Sequence, residues 1–451
     1  MERRTFLKIL SSAGIVSLVS PTFAMEVCKN KVSKSSSALL ESAFRNPPFS
    51  SGVYTWWHWM NGNITKDGIT RDLEAMKANG IAGYQLFEAG SGIPIGPVES
   101  LSDEWVDLIL HTLKESERLG LEFAMHNCPG WSSSGGPWIT PDKAMQIITW
   151  SETKITGGKQ VRIQLPTPKH MFDYYIDTYC LAIPANMKVI PRLSILELSN
   201  RLDKDGVLTW DVPTGEWLIM RFGQTAKDQK NKSAPSKSTG LDCDKFSTEA
   251  LDYHLNCMFK RLMPAMEKIA KHSKIGLLID SYETGDQDWT SDMPAYFEQS
   301  HGYELYPFLP VLANKIVESE ESTKRFLFDF RRVRADMFAE RYYGHFQKRC
   351  KEKGIITYTE PYGGNMMEEL QVAQQLDINM GEFWCGQTVL WANYKYNRTV
   401  KQVASIAHTL GGKVVGAEAF TSEPDADKWL QYPYALKSLG AVSYTHLRAH
   451  E

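Results

Sequence analysis

Carboxylates close a succession of apolar runs in this sequence. LFEAG carries Glu88, IDSYETG carries Asp280 and Glu283, TEPYGG carries Glu360, MGEFW carries Glu382 and GAEAFT carries Glu418, while Asp67 lies further along the first loop. A single acid at such a place is ordinarily a helix cap or an ion-pair partner. Their recurrence is harder to dismiss, because gathering like charges is unfavourable unless a cation, a hydroxyl-rich ligand or proton transfer offsets the repulsion. Rings recur beside them: Trp56, Trp57, His58 and Trp59 precede Asn61 in WWHWMNGN, His126 and Trp131 lie in HNCPGW, and Trp138 and Trp384 follow. Carboxylates next to aromatic faces suit a saccharide, whose C–H faces stack on rings while its hydroxyls bond to acids, amides and imidazoles. Contacts to substrate are therefore expected from Trp57, His58, Asn61, Glu88, His126, Trp131, Asp280, Glu360 and Trp384. The chemistry that such a set could perform is glycoside hydrolysis. It needs one protonated carboxyl and one ionised partner, about 5 to 5.5 Å apart for retention and about 6.5 to 9.5 Å apart for inversion. Neighbouring strands lie about 4.8 Å apart, so strands two or three removed can deliver either spacing. No His-x-x-x-His pair or His/Cys cluster points to zinc, whereas an excess of hard oxygen ligands would suit calcium, with its ligands unassigned.

The elements that must position these groups follow a βα rhythm. VYTWWHW (53–59) leads to a helix from about Lys66, with Thr65 as its N-cap, Ile69, Leu73 and Met76 on one face, and Asn79-Gly80 as its stop. Strand two is 83–90. A helix after Ser102 has Asp103 and Glu104 in its first turn, buries Trp105, Leu108, Ile109 and Leu113, and stops at Gly120. Strand three is 121–127. From 151 to 245 the sequence alternates and turns frequently, which reads as a β-rich insertion. Strands four to seven are then 274–283, 355–363, 377–384 and 413–420. Repeated strand and helix units imply a parallel sheet with helices outside it, and the absence of a glycine fingerprint favours a (β/α)8 barrel over a doubly wound sheet. In a barrel the strand bodies are packed interior and their C-terminal ends form the mouth, where Glu360 belongs.

The expected organisation is a signal peptide at 1–24, a linker at 25–40, barrel segments at 41–150 and 246–441, and the insertion between them. The last ten residues, VSYTHLRAHE, break with what precedes them and read as translated adapter sequence. A piece of a longer chain, lacking its eighth strand, is the expectation that follows. Of the 451 residues 43% are hydrophobic, enough for a large core, and a net charge of −3 without a basic run leaves no footprint for nucleic acid. The opening MERRTFLKILSSAGIVSLVSPTFA pairs Arg3 and Arg4 before a moderately apolar stretch too short to span a bilayer, which takes about 18 to 20 residues. It resembles a twin-arginine export signal and predicts a periplasmic or outer-surface location. Val27 is a poor fit for a lipoprotein at Cys28. The seven cysteines (28, 128, 180, 243, 257, 350 and 385) are odd in number and contain no Cys-x-x-Cys, so they read as core thiols.

The runs WWHWMNGNITKDGITRDLEAMKANGI, HNCPGWSSSGGPW, GLDCDK, IDSYETG, TEPYGG, MGEFW and GAEAFT, in that order, resemble glycoside hydrolase family 106, the α-L-rhamnosidases. The resemblance runs from about residue 40 to 441. It implies an exported, inverting, calcium-assisted enzyme on a (β/α)8 barrel, acting on rhamnose-containing oligo- or polysaccharides. Carried over, it implies Glu283 as general acid and Glu382 or Glu418 as the base, the other binding calcium or a hydroxyl, with Glu360 second in rank. Two other readings compete: a barrel glycosidase for another deoxy sugar or a uronide, and a non-catalytic carbohydrate-binding surface protein.

Overall fold

The computed structural model describes residues 34–47, 51–131, 134–272, 274–384, 390–412 and 414–421. The stretches expected as signal peptide, 1–24, and as adapter sequence, 442–451, lie outside them. The stretch expected as linker is helical from Lys34: Lys34–Arg45 forms a helix, closed by the Glu41–Arg45 ion pair one turn apart. Its Ala, Leu and Glu content favours helix over coil.

Among the described residues the main sheet has seven strands, parallel at every pairing and arranged in chain order. We label them β1 (Val53–Met60), β2 (Ile81–Ala89), β3 (Glu122–His126), β4 (Ile275–Ile279), β5 (Ile356–Thr359), β6 (Ile378–Trp384) and β7 (Gly416–Thr421). Helix α1 (Lys66–Ala78) connects β1 to β2 and α2 (Asp103–Leu119) connects β2 to β3. Their ends form as the sequence dictates. The Thr65 and Ser102 hydroxyls accept from Gly68 N and Trp105 N, and Gly120 closes α2 in the left-handed conformation at φ 69°.

The sheet is curled. Gln85 on β2 donates through Nε2 to Met380 Sδ on β6 at 3.2 Å, a contact between inner faces that a flat sheet would hold far apart. Tyr54 on β1 likewise crosses β2 to reach Glu122 Oε2 on β3 at 2.7 Å. Gly83 makes room for it: a Cβ there would lie 2.6 Å from the Tyr54 ring. Two apolar layers result. Ala124, Leu278, Tyr358 and Met380 pack inside the curl, with Trp56, Ile356 and Ile378 against them. The alternate residues, among them Tyr84, Leu86, Phe123, Met125, Leu277 and Ile279, pack outward among the helices. This division is the two-residue period of a strand applied to a sheet buried on both faces.

Between β3 and β4 the chain builds antiparallel sheets. Gln146–Thr156, Glu216–Ala226, Ile176–Pro184 and Leu196–Glu197 form one, and Lys159–Gln164 pairs with Val207–Val212 in another. Leu165, Cys180, Ala182, Leu208, Trp210 and Ile219 give this region its own core. Among the described residues no helix is long and apolar enough to cross a membrane.

Candidate active site

The inward series on each strand ends in a side chain that can touch a ligand. On β1 it runs Trp56, His58; on β2, Gln85, Phe87; on β3, Ala124, His126. On β4 and β5 it runs Leu278, Asp280 and Tyr358, Glu360, and on β6 Met380, Glu382. The register pairs Glu382 directly with Glu418 on β7.

Asp280, Glu360 and Glu418, from three different strands, bring one carboxylate oxygen each within 4.8 Å of one another. Asp280 and Glu360 are buried and Glu418 is half-buried. Burial, then the charges of Glu418 and Glu283, hold the Asp280 carboxyl well above the usual range. The Ser281 N–H donates to its Oδ1 at 2.8 Å, and opposes that rise. Burial raises Glu360 in the same way, followed by the charges of Asp280 and Glu418 and, more weakly, of Glu382. Glu360 Oε2 accepts from the Tyr362 hydroxyl. Its Oε1 is buried and accepts from no donor among the described residues; the Asp280 carboxyl beside it can donate only when protonated. Glu382, also buried, is fixed through its backbone, whose N–H donates to Thr399 Oγ1 at 2.9 Å.

Beside Asp280, on the neighbouring strand β3, the His126 ring stacks on Phe87 at 4.8 Å and 9°, edge-on to Trp56 at 5.4 Å. His126 Nδ1 lies 3.1 Å from the Gly130 carbonyl, which can only accept, so that nitrogen carries the proton. Nε2 therefore presents a lone pair 3.6 Å from Asp280 Oδ2. Burial lowers the imidazole to about 3, so it stays neutral and offers no charge to the acids. His58 lies edge-on to Phe87 at 4.0 Å.

Glu283 stands at the rim, on the loop after β4. Its Oε2 accepts from Trp131 Nε1 at 3.2 Å and from the Lys232 ammonium at 2.6 Å. That loop is clamped from below by the GLDCDK run. Lys245 N donates to Gln287 Oε1 at 2.9 Å, Thr290 Oγ1 donates to Asp244 Oδ2 at 2.8 Å, and Gln287 Nε2 donates to Asp244 Oδ1. The Lys245 ammonium, wholly buried, pairs with Asp242 at 3.0 Å and donates to the Ser134 carbonyl at 3.1 Å.

Of the sequence-predicted residues, His58, His126, Trp131, Asp280, Glu283, Glu360, Glu382 and Glu418 line this mouth. Three expectations are corrected. Trp57 has the outward parity and donates from Nε1 to Asp72 on α1 at 3.1 Å, packed edge-on against Trp59 and Tyr84. Glu88 also points outward, where Ser100 Oγ donates to it at 2.7 Å. Asn61 directs its amide to the Ile93 carbonyl at 2.6 Å and holds the loop after β2, in a left-handed turn at φ 50°. Trp384 pairs with Thr421 along the strand, and its side chain lies outside the described residues. Residues that the sequence reading did not select include Phe87, Tyr362 and Lys232. Strand parity would have found Phe87. Lys232, 51 positions from its partner, carried no local signal.

Glu88 gives a stability test. Burial raises its carboxyl to about 7, so its contribution is full below the ordinary value of 4.5 and is lost as pH rises through 7. Glu88→Gln, neutral throughout, should be more stable than the parent at pH 8 by up to about 3 kcal/mol and should lose that advantage near pH 4.5. Denaturant melts at both pH values check this, and an advantage independent of pH would contradict it.

A family model described as alpha-L-rhamnosidase matches residues 45–180 and 169–446. The chain belongs to glycoside hydrolase family 106. This family 106 chain is 41% identical over 432 residues to a protein of Formosa agariphila that is provisionally named a beta-glucuronidase, covering 89% of the chain and 36% of that protein. The rhamnosidase of Novosphingobium sp. PP1Y has a similar fold, with a TM-score of 0.76 at 24% identity over 85% of this chain and 53% of that one. The chain thus spans about a third of the curated relative's length and about half of the solved rhamnosidase's.

Proposed function

We propose that this protein is an α-L-rhamnosidase that removes rhamnose from oligo- or polysaccharides with inversion, by general acid and base catalysis at the mouth of the curled sheet. The observation that carries the reading is the convergence of Asp280, Glu360 and Glu418 within 4.8 Å, with Glu382 beside them and Glu283 on the rim. Membership of family 106 supports the sugar. The seven strands are taken as part of a (β/α)8 barrel, whose mouth is the ordinary place for such a site. The residues 1–24 are taken as a twin-arginine signal that exports the enzyme to the periplasm or outer surface.

In this reading Glu283 gives its proton to the departing glycosidic oxygen. Glu382 or Glu418 takes a proton from water as it attacks the opposite face of the sugar ring. His126, Trp56 and Phe87 form the apolar wall on which the ring and its methyl group rest.

Asp280, Glu360 and Glu418 also fit calcium. They offer hard oxygens from three strands, and Glu360 Oε1 is buried without a donor among the described residues. When bound, calcium would balance the clustered charge and hold sugar hydroxyls. A non-catalytic carbohydrate-binding protein would need the cluster but not an acid at the rim.

A uronide remains a second reading, favoured by the provisional name of the Formosa agariphila relative. Aryl α-L-rhamnoside and aryl β-D-glucuronide, offered to the purified protein with NMR detection of the first-formed anomer, separate the two. Release of rhamnose as the inverted anomer is expected. Hydrolysis of the glucuronide alone would overturn the assignment.

A further inference from the structure

We propose that Lys232 and Lys227 form a cationic subsite on the rim of the mouth, which recognises a carboxylate or sulfate on the sugar that leaves. The inference rests on the reading above, in which Glu283 faces the leaving group.

Both lysines come from the stretch 227–240 between the antiparallel sheets and α3 (Thr248–Phe259), and this stretch is built as a rigid ledge. Its Asn231 and Ser238 are buried, at 2% and 0% exposure. Asn231 Nδ2 donates to the Pro129 and Ser238 carbonyls at 3.0 and 3.1 Å, and its Oδ1 accepts from Gly240 N at 2.8 Å. Gly90 N, after β2, donates to the Ser233 carbonyl at 2.7 Å, and Trp131 N, after β3, donates to the Lys232 carbonyl at 3.3 Å. The ledge is thereby fixed over the ends of two strands.

From it two ammonium groups reach the loop after β4. Lys232 Nζ lies 2.6 Å from Glu283 Oε2 with its side chain 54% exposed, and Lys227 Nζ donates to the Asp286 carbonyl at 2.5 Å. The run KDQKNKSAPSK has four lysines against one aspartate. Both ammonium groups also hold the loop after β4, and a neutral sugar would gain little more from them. An anionic one would be repelled by the acids of the pocket unless cations at the rim offset them.

The test compares three α-rhamnosyl disaccharides whose second sugar is glucuronic acid, glucose 6-sulfate or glucose, together with an aryl rhamnoside. One of the acidic disaccharides should show kcat/KM about fivefold above the neutral one, mostly through KM, falling toward parity in raised salt. Which acid is favoured tells carboxylate from sulfate recognition. Lys232→Met and Lys227→Met should each reduce the ratio of acidic to neutral rates, a readout that a general disturbance of Glu283 would leave unchanged. Equal rates on all three disaccharides while the aryl rhamnoside is cleaved would overturn the subsite and leave the rhamnosidase reading standing. If no rhamnoside is cleaved, that reading falls. Titration calorimetry with the same disaccharides then decides the subsite alone: a preference for the acidic ligands that Lys232→Met removes supports it, and equal or absent binding overturns it.

Discussion

Glu283→Gln should lower kcat on rhamnosides with alkoxide leaving groups by about 10²- to 10⁴-fold, the range supplied by a positioned general acid. The same variant should cleave a nitrophenyl rhamnoside within about tenfold of the parent, because a good leaving group departs without a proton. The contrast between substrates, more than the loss itself, identifies the role. Glutamine keeps an oxygen that can accept from Trp131 Nε1 and the Lys232 ammonium, so the rim geometry has a way to persist. Glu283 is exposed, and a surface substitution of this kind ordinarily changes stability by no more than about 0.5 kcal/mol. Equal losses on both substrates would remove Glu283 as the acid. Full activity on both would move the chemistry elsewhere in the mouth.

The framework that holds Glu283 was legible because local signals agreed with the global arrangement. Thr65 and Ser102 cap their helices, Gly120 ends the second one, and Ile69, Leu73 and Met76 are all buried, as the periodicity required. The acids at strand ends were legible as a recurrence. Their meeting was not, since nothing local states that positions 280, 360 and 418 share a pocket; the parallel order of β4 to β7 does that.

Two of the misplaced residues, Trp57 and Glu88, share one cause. In a sheet buried on both faces neither parity is marked by a polar series, so the sequence does not say which of Trp56 and Trp57, or of Phe87 and Glu88, turns inward. Parity separates them: Trp56, His58 and Phe87 turn inward, while Trp57 and Glu88 meet α1 and the segment before α2. Asn61 differs: its left-handed backbone is what the turn after β1 uses. Lys232 was out of reach for a different reason. Its partner is distant in sequence, and the ledge that carries it is set by tertiary contacts.

The second large effect concerns the triad. Calcium should raise the melting temperature of the parent protein saturably, by an amount equivalent to about 2.7 kcal/mol at a hundredfold excess over Kd, and Glu360→Gln should abolish most of that rise. In a chelator the ranking should reverse at neutral pH. Burial and neighbouring charges hold Asp280 and Glu360 above the ordinary carboxyl range. Their contribution without a cation is therefore full below the unfolded value of about 4 and is lost as pH rises through the folded ones. Glutamine at 360 removes one of the clustered charges, so the cation-free variant should melt above the parent at pH 7 and converge on it near pH 4. Calcium should remove most of the parent's pH dependence across that window, because a bound cation replaces the protons that the acids would otherwise need. Scanning calorimetry on both proteins, with calcium and with chelator at pH 4 and 7, distinguishes the cases. A parent protein indifferent to calcium at both pH values would mean that the three carboxylates are held together by shared protons alone.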